Sequence, residues 1–163
     1  MGLSAAYGFL QTDRGYVGLS SYERKMITKV DRFTDTGTWT VPAGVTYAIA
    51  HIRAGGGGGG RSGATAGGTS SVAFAGGTIS ALGGSALNQG AVGSSASYSA
   101  QANSGQGAFY NETLGGSAGN GALITAGGAV TPAASITVTV GSGGTGLVTG
   151  GSGYVWIEYQ VAL

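Results

Sequence analysis

Six consecutive glycines occupy positions 55 to 60, and they open a region that stays rich in glycine to the end of the chain. Thirty of the 36 glycines in this 163-residue chain lie from Gly55 onward. Each glycine ordered in regular structure costs roughly 0.5–1 kcal/mol relative to alanine, so the region opposes folding unless close packing offsets that cost. Two structures fit: a mobile loop, or backbones packed too closely for any Cβ atom. The packed form would be polyglycine-II-like segments lying side by side, supplemented by Cα–H···O contacts.

The sequence within the glycine region favours order over a plain linker. Short apolar islands interrupt it at residues 72–74, 79–82 and 123–124. Collagen is excluded, because the chain has only two prolines and its glycines do not recur every third residue. Pairs of adjacent glycines recur without a fixed period, which excludes a simple solenoid.

Alternating apolar and polar residues predict strands on both sides of the glycine region. These strands cover residues 38–41, 45–54, 135–140 and 154–161, and a strand over residues 27–34 is favoured over a short helix. In the last strand, Val155, Ile157, Tyr159 and Val161 share one face. We therefore predict an all-β fold, a β-sandwich or jelly-roll-like framework with long glycine-rich loops. Residues 1–32 are assigned to an N-terminal leader for attachment, and residues 33–163 to a glycine-rich β domain.

The charged residues are concentrated near the N-terminus. Eleven of the thirteen lie in residues 1–61, and only Glu112 and Glu158 follow. A surface without Lys or Arg cannot neutralise phosphates, so we expect no nucleic-acid partner there. The absence of cysteine excludes disulfides and thiolate metal sites. No stretch approaches the roughly 20 apolar residues of a membrane span, and no signal peptide is recognisable.

Motifs that point to catalysis are weak in this chain. Residues 55–62 nearly fit a phosphate-binding loop, with Arg61 in place of its lysine, and residues 141–146 fit the glycine pattern of a dinucleotide-binding loop. Six consecutive glycines fit any glycine-based pattern, and no helix is predicted after either segment. His51, the single histidine, is predicted to be an ordinary strand residue that faces solvent or a neighbour. We expect no catalytic residues, no metal site and no cofactor.

One group of residues in the glycine region suits binding. It comprises Tyr98, Phe109, Tyr110 and Asn111, followed by Glu112. Aromatic faces flanked by amides and hydroxyls fit sugar rings or an exposed protein loop. The alternative is that these rings fill a small core, and the sequence leaves both readings open.

Several segments carry a resemblance to a known family. Residues 37–44 read Gly-Thr-Trp-Thr-Val-Pro-Ala-Gly, and a strand follows that ends in Gly55–Gly60. Residues 138–144 read Val-Thr-Val-Gly-Ser-Gly-Gly, and residues 153–159 read Gly-Tyr-Val-Trp-Ile-Glu-Tyr. This pattern is similar to the glycine-rich C-terminal domain of tailed-phage tail fibres and related virion proteins, over roughly residues 33 to 161.

The resemblance implies a β-rich, homotrimeric component of the virion. Its expected role is that of a non-enzymatic tail-fibre tip or adhesin, which contacts host surface polysaccharide or an outer-membrane protein through Tyr98, Phe109, Tyr110 and Asn111. Attachment to other virion proteins is assigned to basic residues of the leader: Arg14, Arg24, Lys25, Lys29 and Arg32. The alternative is a capsid decoration or tail-assembly structural protein without receptor contact.

Overall fold

Every regular element in the described part of the chain is a β-strand. The computed structural model describes residues 9–12, 15–18, 25–60, 63–88, 96–98, 105, 107, 109–110 and 116–162, and no helix occurs among them. The predicted all-β class is therefore confirmed. The strands are Phe9–Thr12 (β1), Gly15–Gly18 (β2), Met26–Phe33 (β3), Gly37–Thr40 (β4), Tyr47–Arg53 (β5), Gly59–Gly60 (β6), Ser70–Phe74 (β7), Gly77–Ala81 (β8), Leu87–Asn88 (β9), Ala96–Tyr98 (β10), Phe109–Tyr110 (β11), Gly116–Ser117 (β12), Leu123–Ala129 (β13), Ser135–Thr139 (β14) and Tyr154–Ala162 (β15).

Two antiparallel four-stranded sheets form the body of the fold. The first has the strand order β13-β5-β15-β3, and the second has the order β4-β14-β7-β8. One apolar cluster contains buried side chains from both, including Ile52 and Ile157 of the first sheet and Val72 and Val138 of the second. The two sheets therefore share one core.

The alternation in β15 sorts its side chains between the core and the outer surface. Val155 and Ile157 are fully buried and Tyr159 is nearly so, whereas Trp156 between them is 38% exposed. Successive side chains of a strand point to opposite faces of its sheet, so this period of two places every second residue in the core. The face predicted from the sequence is the buried one.

The inner face of the first sheet carries small residues at several positions of β5 and β13. In β5, Ala48, Ala50 and Ile52 are buried, while the larger residues between them face outward. The ring of Phe74 from the second sheet lies so close to β13 that a Cβ atom at Gly128 would overlap it. The inner face thus has room only for a small group at Gly128, and the larger residues of β5 lie on the outer face.

The strand β3 lies at the edge of the first sheet and pairs with β15 along its whole length. Residues 26–32, which the sequence assigns to the leader, form most of this strand. Trp39 of β4 in the second sheet donates a hydrogen bond from Nε1 to Oδ2 of Asp31 at 2.8 Å. This bond links the edge of the first sheet to the second.

Six of the eight strands in the two sheets continue into glycine-rich segments at one shared end. Strands β5, β8 and β14 end there, and β7, β13 and β15 begin there, as their pairing registers require. Glycine-rich segments continue these strands outward and are joined to one another by backbone hydrogen bonds. We call these segments the glycine bundle: residues 55–60, 63–69, 82–88, 118–122, 141–146 and 148–153.

Residues 55–60 are buried at the centre of the glycine bundle. Their N–H groups donate to carbonyl oxygens at 2.9–3.0 Å in a fixed rotation: Gly55 to Gly68, Gly56 to Gly151, Gly57 to Gly119, Gly58 to Thr65 and Gly59 to Val148. Donors three residues apart thus reach the same neighbouring segment. The amides of a β-strand alternate between two sides, so the period here is three instead of two.

The glycine bundle has no space for side chains where its segments touch. A Cβ atom at Gly57 would overlap the carbonyl group of Ser85, and one at Gly143 would overlap that of Gly150. The glycines are therefore needed for close approach of one backbone to another.

Ser70 connects the glycine bundle to the sheets. It is the fully buried first residue of β7, and its Oγ donates to the carbonyl oxygen of Arg53 at 2.8 Å. The same Oγ accepts a hydrogen bond from the N–H of Gly141 at 2.9 Å. One hydroxyl thus satisfies two backbone groups where β5 and β14 pass into the bundle, groups that would be costly to bury unpaired.

Candidate functional site

The aromatic residues predicted to bind lie in strands at the far end of the glycine bundle. Strand β11 lies against β6, and β6 is the outer end of the central segment that leaves the sheets at Arg53. Strands β10, β11 and β12 form their own three-stranded sheet there. The structure therefore positions this sheet away from the apolar core of the two large sheets.

The pairing of β10 with β11 brings two of the predicted binding residues together. Tyr98 is directly opposite Phe109, and Ala96 is opposite Tyr110, with a register shift between the two pairs. Opposed residues of an antiparallel pair have Cα atoms about 4.5–5.5 Å apart. Tyr98, Phe109 and Tyr110 thus belong to one small sheet, while Asn111 lies outside the described residues.

The predicted attachment residues fall on the edge strand where they are described. Lys25 precedes β3, and Lys29 and Arg32 lie on it, all three exposed. Arg14 and Arg24 lie outside the described residues. The structure therefore gathers three of the five basic residues along one edge of the first sheet.

Sequence reasoning missed an aromatic group on the outer face of the first sheet. The rings of Tyr154 and Trp156 are stacked with centroids 5.0 Å apart and planes at 26°. The guanidinium carbon of Arg32 lies 4.9 Å from the centroid of Trp156. The alternation in β15 indicated that the two rings share a face, but the cross-strand pairing of Trp156 with Arg32 depends on the β15–β3 register. No pattern in the sequence gives that register.

His51 lies between a hydroxyl and a carboxylate on the same outer face. Its Nδ1 is 3.1 Å from Oγ1 of Thr125, and its Nε2 is 3.7 Å from Oε2 of Glu158. A hydroxyl, an imidazole and a carboxylate in line are the parts of a nucleophilic site. Such a site also needs free N–H donors for an oxyanion, and β5 has a paired strand on each side. His51, Thr125 and Glu158 therefore form a polar cluster on the surface of the sheet.

The amides of Gly55 to Gly59 are not available to an anion. A phosphate loop binds its ligand through free backbone N–H groups. Here the N–H groups of Gly55 to Gly59 all donate to carbonyl oxygens of other segments. The packing of the glycine bundle thus occupies the donors that nucleotide binding would need.

Two open grooves lie on the surface of the described residues. One, of about 450 Å³, lies where the bundle meets the sheets and is lined by hydroxyl groups and Asp35. The other, of about 340 Å³, lies on the outer face of the first sheet beside Met26 and Tyr47. The described residues contain no cluster of three or more His, Cys, Asp or Glu that could hold a metal ion. They also contain no helix that is long and apolar enough to cross a membrane.

Comparisons with protein-family models, with curated proteins and with solved structures find no match to this chain.

Proposed function

We propose that this protein is a non-enzymatic virion component of a tailed phage, an adhesin at the tip of a tail fibre that contacts the host surface. The geometry that supports the proposal best is the position of β10 and β11 at the far end of the glycine bundle. An adhesin has to present its binding residues beyond the framework that holds it. Tyr98, Phe109 and Tyr110 have that placement.

We further propose that the framework is a β-sandwich continued by a polyglycine-II-like bundle. The core shared by the two large sheets supports the sandwich. The three-residue period of donors from Gly55 to Gly59 supports the polyglycine-II form, because a threefold helix turns successive N–H groups toward different neighbours. Backbone bonds in several directions would make a stiff stalk without a hydrophobic core of its own.

The surface of the glycine bundle is suited to a neutral ligand. None of its six segments contains Asp, Glu, Lys or Arg. Contacts would therefore come from hydroxyls, backbone groups and the aromatic residues at its end. Sugar rings of a surface polysaccharide match this chemistry, because they combine apolar faces with hydroxyl groups. An exposed loop of an outer-membrane protein is the second ligand class that fits.

A structural role within the particle, as capsid decoration or tail-assembly protein, is the second candidate function. It is favoured by the outer face of the first sheet, where several large apolar side chains are exposed: Met26, Val30, Tyr47, Leu123 and Trp156. Apolar patches of this kind mark contact surfaces between proteins. In that role the sheet would be covered by neighbouring virion proteins.

The adhesin proposal is tested by competition for adsorption. Purified protein should bind host cells and reduce phage adsorption, and the double variant Phe109→Ala/Tyr110→Ala should lose both effects. Tyr47→Ala is the matched control, because Tyr47 is an exposed tyrosine at the opposite end of the first sheet from the bundle. Absence of binding and of competition by the unmodified protein would overturn the proposal. Electron microscopy separates the two functions: a distal tip favours the adhesin, and a position in the shell favours the structural role.

A further inference from the structure

Strand β3 forms the longer of the two edges of the first sheet. It is paired along its whole length with β15, on one side only. Its residues pair with β15 from Met26 to Phe33, and no described strand pairs with its other side. An open strand edge presents a row of backbone donors and acceptors to any strand that reaches it. Its side chains decide which strand can do so.

The side chains of β3 are sorted between the two faces of the sheet. Ile27, Lys29, Asp31 and Phe33 are opposite residues of the buried side of β15, while Thr28, Val30 and Arg32 are opposite residues of the outer side. The core-side set thus carries one positive and one negative charge, with an apolar residue at each end.

This order of side chains is complementary to itself in an antiparallel arrangement. When Val30 faces Val30 of a second copy, Lys29 is opposite the partner's Asp31, and Ile27 is opposite the partner's Phe33. Lys25 and Asp35, which flank the strand, also approach each other across the pair. Cross-strand pairs of opposite charge and of apolar residues stabilise a sheet.

Neighbouring registers lack this match. A two-fold axis perpendicular to the sheet keeps the core-side faces together, so the register changes in steps of two. A shift of one such step in one direction places Lys29 opposite Lys29 of the second chain. A shift in the other direction places Asp31 opposite Asp31 of the second chain. Like charges directly opposed are destabilising. Only the Val30-centred register among these three satisfies both charges.

We propose that two copies of this chain associate through β3 about a two-fold axis at Val30, which joins their first sheets into one continuous sheet. Val30 is 45% exposed and Met26 is 49% exposed, so pairing would also cover apolar surface along this edge. The competing explanation is that Lys29 protects the edge, since charged residues on the inner side of edge strands prevent pairing. Under that explanation Lys29 forms no pair with the Asp31 of a second copy.

The chain has no cysteine, which allows the register to be read by disulfide formation. In the proposed pair, Val30→Cys places two thiols directly opposite, within the Cα separation that a disulfide spans. Thr28→Cys is the matched control: it lies on the same face and is exposed, but its two copies would be about 13 Å apart along the strands. Mild oxidation should give a covalent dimer of Val30→Cys and leave Thr28→Cys monomeric on a non-reducing gel.

Charge reversal tests the pairing of Lys29 with Asp31. In the Val30→Cys background, Lys29→Glu should reduce the cross-linked fraction about tenfold, because two attractive pairs become repulsive. Thr78→Glu on the edge strand of the second sheet is the control for added negative charge and should leave the fraction unchanged. Mixing the Lys29→Glu and Asp31→Lys variants should restore cross-linking, since each then supplies the charge that the other lacks. If Asp31→Lys unfolds because it loses the hydrogen bond from Trp39, the comparison of Lys29→Glu with Thr78→Glu still tests the proposed charge pairing.

The mass of the unmodified protein in solution completes the test. Sedimentation should show a concentration-dependent dimer. A strict monomer, equal cross-linking at positions 28 and 30, or no cross-linking at either would overturn the proposal. A mass of three chains would do the same and would favour the homotrimer that the family resemblance implies. None of these results depends on the adhesin function, so the two proposals fail separately.

Discussion

Tyr159 lies where the two sheets meet, with its ring centroid 5.5 Å from that of Trp39. Burial raises the pKa of its phenol above the ordinary value of 10.0, and a hydrogen bond to Asp31 and the negative charge of that carboxylate raise the pKa further. In the unfolded chain the phenol ionises at its ordinary pKa. The stabilisation from the neutral phenol is therefore complete below about pH 10 and is lost as the pH rises through the folded pKa.

We expect the free energy of unfolding to fall as the pH is raised from about 9 to 12, and Tyr159→Phe to remove part of that fall. The variant should also be less stable at neutral pH by about 1 kcal/mol, because Asp31 loses a hydrogen-bond donor. Denaturant unfolding of both proteins across this range measures the difference. The two proteins differ only at residue 159, so the comparison isolates Tyr159. Parallel pH profiles would show that its ionisation does not contribute to stability.

The glycine segments can be compared with the strands that they continue. At Gly57 a Cβ atom would overlap the carbonyl of Ser85, whereas at Gly76, in the turn between β7 and β8, no described residue lies within 4 Å of an added Cβ. We expect Gly57→Ala to cost about 1–3 kcal/mol of unfolding free energy or to prevent folding, because neighbouring backbone cannot move aside. Gly76→Ala should be neutral or stabilising by about 0.4–1 kcal/mol, since it restricts only the unfolded chain.

Thermal and denaturant unfolding of the two alanine variants would measure this difference. Each variant adds one methyl group to one glycine, so their intrinsic preferences are matched. Equal stabilities would mean that residues 55–60 are not held in close contact with residues 82–88.

The strands were predictable from sequence to the extent that their side chains differ between faces. Val155, Ile157 and Tyr159 alternate with polar or exposed residues, so their burial followed from the period of β15 alone. The partners of the glycine segments were not predictable. Gly57 donates to Gly119, far away in sequence, and neither residue has a side chain that would indicate its partner. The pairing of these segments depends on the close backbone contact that the absence of Cβ atoms allows.

The candidate site was predictable in part for the same reason. The grouping of Tyr98 with Phe109 and Tyr110 rested on aromatic residues that stand out among glycines, and β10 and β11 do pair. The contact of Arg32 with Trp156 joins residues that lie far apart in the sequence. It follows from the β15–β3 register, which sequence patterns leave undetermined.

At the scale of the whole molecule, the sheets and the glycine bundle are parts of the same chain paths. Each bundle segment continues directly into a strand, and Ser70 bonds to backbone groups at the start of two segments. Opening the bundle would break the backbone hydrogen bonds that residues 55–59 make to the other segments, and it would expose their buried amides. Regions that open together show equal protection of their amides from hydrogen exchange. The bundle and the sheets should therefore behave as one cooperative unit.

Native-state hydrogen exchange tests this expectation. The amides of Gly55 to Gly59 should exchange as slowly as those of Ile52 and Ile157 in the core strands, because all of them would require global unfolding. Gly76, exposed in a turn, is the internal reference for fast exchange. If Gly55–Gly59 exchanged at the rate of Gly76, the bundle would open on its own while the sheets stayed folded. A stalk that opens independently could not hold β10 and β11 in a fixed position, so the same result would weaken the adhesin proposal.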